Sequence, residues 1–186
     1  MTSDHVSWRR SWNHHNPEWF MMLWTDNEIE QFKSKFSNVL SKCKNEAEMA
    51  DILRIEILYR IGGLYVDVDF ECLKPIDTLI NNRKFLYIKQ THNRVGNAIM
   101  ASVPGDEYIA KLHDNIINRY NSHGDVDNSA HKFGPGYLTS LLPRRATIDK
   151  KVAYPYNWKE KHRQCENIRK AYPHAYAVHH WNQDWN

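Results

Sequence analysis

The chain has 186 residues, 41% of them hydrophobic and 25% charged, with a formal net charge of +3. That length and mix fit a single globular domain, residues 1–186, able to enclose an apolar core. The spread of basic residues argues against a nucleic-acid partner, no apolar run approaches the ~20 residues of a membrane span, and the opening MTSDHVSWRRSW lacks the apolar centre of an export signal.

Cys43, Cys72 and Cys165 are odd in number and far apart, which suits neither a disulfide framework nor a zinc cluster. Ordinary thiols in a reducing compartment are expected, and with them a cytoplasmic location. The seven tryptophans gather near the two ends, Trp8, Trp12, Trp19 and Trp24 against Trp158, Trp181 and Trp185. Most are expected to fill the core, although such rings also line sugar and base sites.

In chain order, residues 3–13 read as a short helix and 20–24 as a short buried strand closed by Thr25-Asp26-Asn27. Residues 28–40 look helical. The clearest helix is 46–61, where Met49, Ile52, Leu53, Ile55, Ile57 and Leu58 recur at helical spacing and Gly62-Gly63 stop it. Residues 64–70 are β-branched and aromatic, hence a strand. A short helix follows Pro75, then a strand at 85–88. Residues 97–102 fit helix or strand equally. Residues 108–120 read as helix, 122–129 as a polar loop, 137–142 as helix and 175–180 as a late strand. Helices alternating with strands indicate an α/β fold with a mainly parallel sheet.

Chemistry concentrates at Asp67-Val68-Asp69. Two carboxylates two residues apart on an extended chain point to one side, and at the carboxyl end of a strand they face the crevice where α/β sheets bind ligands. Such a pair can hold a hard divalent cation that grips a diphosphate. Spelling alone decides nothing, because Asp125-Val126-Asp127 repeats it in a polar loop. Context separates the two. Asp51 and Arg54 share one face of the preceding helix, inside the most apolar stretch of the chain, and the glycine pair lets the chain reverse into the strand.

The run from Ala50-Asp51 through Arg54, Leu58-Tyr59, Gly62-Gly63, Tyr65 and Asp67 to Asp69 resembles the DXD sugar-binding region of glycosyltransferase family 32. Other blocks follow in that family's order. They are Trp12-Asn13 with Asn16-Pro17 and Trp19, Leu23-Trp24-Thr25-Asp26, Gly96-Asn97-Ala98-Ile99-Met100-Ala101, Gly134-Pro135 before Leu138-Thr139, and His179-His180-Trp181 before Trp185. The resemblance implies a GT-A (Rossmann-like) fold and a metal-dependent transfer of a hexose-type sugar from a UDP- or GDP-sugar, with retention of configuration, to a glycan, lipid-linked or protein acceptor. Carried over residue by residue, it implies that Asp69 binds Mn2+ or Mg2+ directly and that Asp67 contacts ribose or sugar and supports the metal. It implies that Asp51 and Arg54 bond the donor sugar's hydroxyls, that Tyr65 seats the nucleotide, that His179 adds a third group near the metal and that Trp185 closes over the diphosphate. Acceptor specificity is expected around residues 96–102 and 128–139.

The family usually opens with a further apolar strand, and on that pattern about 15 to 20 residues look absent before Met1. The expected fold is therefore N-terminally incomplete, with a Golgi address conceivable if an anchor precedes it. A relative that binds donor or partner without turnover is the alternative reading. A haloacid-dehalogenase-type phosphohydrolase is disfavoured because Glu71 stands where that family wants Thr or Val, and a histidine-rich metal module because the histidines lack ligand spacing.

Overall fold

A computed structural model of the chain describes residues 2–123, 132–142, 148–163 and 167–182. Helix α1 (Ser3–His15) opens on a capping box between Thr2 and His5. Its Trp12 is buried and donates its indole N–H to the Phe70 carbonyl at 2.8 Å. Residues 20–24 carry no regular secondary structure and form no ladder among the described residues, and Phe20 is 90% exposed. The expected buried strand there is corrected: its apolar run reads as core only if a neighbouring strand covers it.

The expected helix over 28–40 is two pieces, α2 (Asp26–Phe32) and α3 (Ser37–Leu40). Between them Lys33 adopts a left-handed φ of 50°. Arg60 holds this break, lying over the Phe32 ring at 4.1 Å and donating to the Phe32 carbonyl at 3.2 Å. Helix α4 (Glu46–Arg60) matches its expected span. Asn45 caps it by accepting the Glu48 N–H, and Glu46 and Glu48 place negative charge at its positive end. Nine of its fifteen residues are buried, including Ile52, Leu53, Ile55 and Leu58. Gly62 then takes φ 77°, and a Cβ there would fall 2.6 Å from Pro104 Cδ. Only glycine fits, and the chain reverses at once into β1 (Gly63–Val66).

Strand β2 (Phe70–Cys72), helix α5 (Asp77–Ile80), strands β3 (Phe85–Thr91) and β4 (Arg94–Ser102) follow. Then come α6 (Glu107–Asp114), α7 (Ile116–His123) and α8 (Pro135–Leu141), and later α9 (Ile168–Ala171) and β5 (Ala177–His179). The mixed α/β class holds, but the expected parallel sheet does not. One sheet has the order β1-β4-β3 and the other pairs β2 with β5, all antiparallel. The reason is local: β3 and β4 are joined by His92-Asn93 alone, too short for a crossover, so they pair as a hairpin. A parallel pairing survives as an isolated bridge between Ile88 and Ile148.

Strand β4 is central and buried from Val95 to Ser102. On one side Met100 and Tyr87 join the α4 core with Ile109, Leu112, Phe133 and Tyr137. On the other, Ile99 and Ala98 pack with Phe70, Tyr154, Ala177 and Trp12. Residues 96–102 are therefore core strand, which corrects their expected role as an acceptor loop. The control motif Asp125-Val126-Asp127 and residues 128–131 lie outside the described residues, as does Trp185.

Candidate active site

Strand β1 ends one residue short of the first aspartate. Asp67 still extends the sheet by donating its N–H to the Ala98 carbonyl at 2.8 Å, and Val68-Asp69 then turn. The Phe70 N–H closes that turn onto the Asp67 carbonyl at 3.2 Å. The two aspartates therefore converge through a turn between β1 and β2, not by alternation along one strand as the sequence suggested. Asp67, Asp69 and His179 each offer a ligand atom, and these atoms lie within 4.8 Å of one another.

His179 arrives from 110 positions away because β5 pairs with β2, Phe70 opposite His179. Its ring stacks on Phe70 with centroids 4.6 Å apart, and its Nε2 lies 3.0 Å from Asp69 Oδ1. The other Asp69 oxygen accepts the Asn182 backbone N–H at 3.0 Å. Trp181, at a left-handed φ of 57°, bends the chain so that this amide returns to the carboxylate.

A second network adjoins the first. Arg54 is 4% exposed and fully engaged. Its Nη2 lies 3.0 Å from Asp51 Oδ1 and its Nη1 3.2 Å from Asp67 Oδ1. Nη1 also donates to the Asn97 carbonyl at 2.7 Å, and Nε to the Ala50 carbonyl at 3.0 Å. The Asn97 amide donates to Asp51 Oδ1 at 2.6 Å, and the Tyr65 hydroxyl donates to Asp67 Oδ1 at 2.9 Å. The guanidinium sits 4.7 Å from the centre of the Tyr65 ring. The i, i+3 pair that the sequence places in its most apolar stretch is thus the buried hub that joins α4, β1 and β4.

The electrostatics follow from burial. Loss of solvation pushes the Asp51 carboxyl up to about 6, with nearby Asp67 adding to the rise against the pull of Arg54. Burial is the largest single influence on Arg54 and would lower it, but Asp67, Tyr65 and Asp51 together outweigh it and hold the guanidinium firmly charged. Enclosure also raises the Tyr65 hydroxyl well above its ordinary range, so it stays protonated and donates. Arg54 pairs with Asp51 and Asp67, while Asp69 has the imidazole Nε2 of His179 as its ion-pair partner among the described residues. The carboxylates thus outnumber the guanidinium, an excess of negative charge that a divalent cation would offset. Two carboxylate oxygens and one imidazole nitrogen form a donor set that a divalent cation can use.

Of the residues expected at a site, Asp51, Arg54, Tyr65, Asp67, Asp69 and His179 come together, and Trp185 lies outside the described residues. Asn97, expected in the sequence only as part of an acceptor-specificity segment, instead bonds Asp51 and accepts from Arg54 in the hub. The contact between Gly96 and Tyr154 is likewise not readable from the sequence. A Cβ on Gly96 would meet the Tyr154 hydroxyl at 2.3 Å, so this glycine opens the space that the tyrosine fills beneath Phe70 and His179. No sequence pattern links those two positions.

The family described as "Glycosyltransferase sugar-binding region containing DXD motif" matches residues 2–86. The chain is 22% identical to inositol phosphoceramide mannosyltransferase 3 of Schizosaccharomyces pombe, over 90% of this chain and 48% of that protein. It is 27% identical to the lactosylceramide 4-alpha-galactosyltransferase of Homo sapiens, over 73% of this chain and 41% of that protein. The chain thus spans about half, or less, of the length of these relatives. The solved PaToxG glycosyltransferase shares its fold with a TM-score of 0.55 at 16% identity, over 76% of this chain and 63% of that one. Together with the aspartate turn and the buried arginine hub, these likenesses make the chain similar to glycosyltransferases with a DXD-containing sugar-binding region, a likeness that spans residues 2–86, and give it a GT-A-like fold.

Proposed function

We propose that the chain transfers a hexose-type sugar from a UDP- or GDP-sugar to an acceptor, with retention of configuration, in the presence of Mn2+ or Mg2+. The convergence of Asp67, Asp69 and His179 within 4.8 Å carries this reading. These groups would hold the ion. When bound, it supplies Lewis-acid stabilisation of the charge developing on the leaving diphosphate.

The remaining roles belong to side chains. Asn97 and Arg54 both engage Asp51 Oδ1, so Oδ2 is the oxygen offered to a sugar hydroxyl, and the Asp51 side chain is 12% exposed. Arg54 spends its donors on Asp51, Asp67 and two carbonyls, so its part is to keep both carboxylates ionised and aimed. Tyr65 fixes one oxygen of Asp67 and presents its ring where the nucleotide would lie. Trp185 would cover the diphosphate. Both relatives carry a ceramide-linked acceptor in their names, which makes a ceramide glycolipid the first acceptor to try.

Donor binding and hydrolysis across UDP- and GDP-sugars, with Mn2+ or with EDTA, test the proposal in the wild type and in Asp69→Ala. Metal-dependent turnover of one donor, lost in the variant, supports it, and the anomer released, read by NMR, tests retention. Donor binding without turnover under every condition would instead favour a binding protein that has lost catalysis.

A further inference from the structure

His180 stands beside the proposed metal site, and its ring is held on three sides. Trp8 of α1 stacks on it with centroids 4.3 Å apart and planes 7° apart. Its Nε2 lies 3.1 Å from Glu71 Oε2, and its Nδ1 lies 3.4 Å from the Tyr156 hydroxyl. The residue is 7% exposed. Its backbone N–H donates to the Asp69 carbonyl at 2.9 Å. On either side of it, His179 Nε2 and the Asn182 N–H reach the two oxygens of the Asp69 carboxylate.

Segment 179–182 therefore clasps the aspartate turn at three points, and the immobilised ring of His180 sets the position of that clasp. A bare Val68-Asp69 turn has no such restraint. Val68 is exposed, and closure of the turn rests on one bond of 3.2 Å, from the Phe70 N–H to the Asp67 carbonyl. We infer that His180 is a positioning residue: clamped by Trp8, Glu71 and Tyr156, it holds Asp69 and His179 at the separation a divalent cation needs. This inference rests on reading Asp67, Asp69 and His179 as a cation site. It also gives α1 a function. The helix buries Trp12 in the core, while Trp8, one turn earlier on the same side, braces the site.

The test is Mn2+ binding to the full chain, followed by the loss of the free-ion EPR signal, together with the thermal midpoint in EDTA. Groups that orient ligands from behind typically change metal affinity about 10- to 100-fold. His180→Ala is expected to weaken Mn2+ binding within that range, and Glu71→Ala and Trp8→Ala to weaken it less. Trp8→Phe, which keeps a stacking ring, is expected to restore affinity to near wild type. The Glu71 side chain is 25% exposed, so Glu71→Ala is the variant to rely on if His180→Ala does not fold. Weakened binding with an unchanged midpoint in EDTA supports a positioning role. If Glu71→Ala and His180→Ala bind Mn2+ as tightly as wild type, the inference fails and the cation site stands. A wild type that takes up no Mn2+ overturns the cation reading and this inference with it.

Discussion

Replacing Arg54 by Met removes a cation whose two carboxylate partners stay behind. Asp51 and Asp67 lie 3.0 and 3.2 Å from the guanidinium, with side chains 12% and 21% exposed. The Ala50 and Asn97 carbonyls lose donors as well. Breaking a buried pair from one side costs about 3–5 kcal/mol. In a domain of this size that amounts to a fall of roughly 6–20 °C in Tm. The loss should depend on pH. Asp51 already sits near 6 with its arginine present, so without it the carboxyl climbs further and escapes the penalty by taking a proton. Urea unfolding followed by far-UV circular dichroism, at pH 5 and pH 8, is the assay. The destabilisation is expected to be larger at pH 8, and Arg54→Lys, which keeps the charge but not the planar fork, is expected to fall between Met and wild type. A Met variant within about 1 kcal/mol of wild type at both pH values would mean that the hub is not what holds α4 to β1 and β4.

Other outcomes follow from single features. The Asp51 carboxyl is raised by folding, so its contribution to stability is greatest below about 4, declines as pH rises from about 4 to about 6, and is then constant; Asp51→Asn should remove that decline from a pH series of urea midpoints. Gly96→Ala drives a methyl group into the Tyr154 hydroxyl, 2.3 Å from the ideal Cβ, and should destabilise by about 1–3 kcal/mol. Adding Tyr154→Phe should recover part of that loss in a double-mutant cycle, because the clashing oxygen is gone; strict additivity would show that the two positions do not touch. Burial pushes the Cys43 thiol up to about 12 and the Cys72 thiol up as well, so both should resist alkylation at pH 8 in the native chain and react promptly in urea, as read by mass spectrometry.

Helix α4 and its stop were legible because each signal is local: the apolar positions repeat, and Gly62 takes a conformation other residues avoid. The aspartate motif was legible for the same reason. Pairing partners were not, since whether β4 lies parallel or antiparallel to β1 depends on contacts between Val66 and Ile99, which no periodicity records. The same gap hid Asn97 and Gly96, whose roles exist only once β4 runs beside α4 and Tyr154. The helix expected across 28–40 failed at Lys33, where side-chain propensity favours helix and a distant arginine stabilises the break.

The long span between Asp69 and His179 has a consequence for synthesis. A chain emerging from the ribosome presents Asp51, Arg54, Asp67 and Asp69 together, but the imidazole is 110 positions further on. Until then the nascent chain has two carboxylates on an unclasped turn, a weak and unselective grip for any ion in the cell. Closing so large a loop is slow relative to forming α4 and its turn. On the proposed cation site, loading with metal should therefore be a late event in maturation, coupled to the docking of β5 on β2, and an early, wrongly chosen ion would have little to hold it.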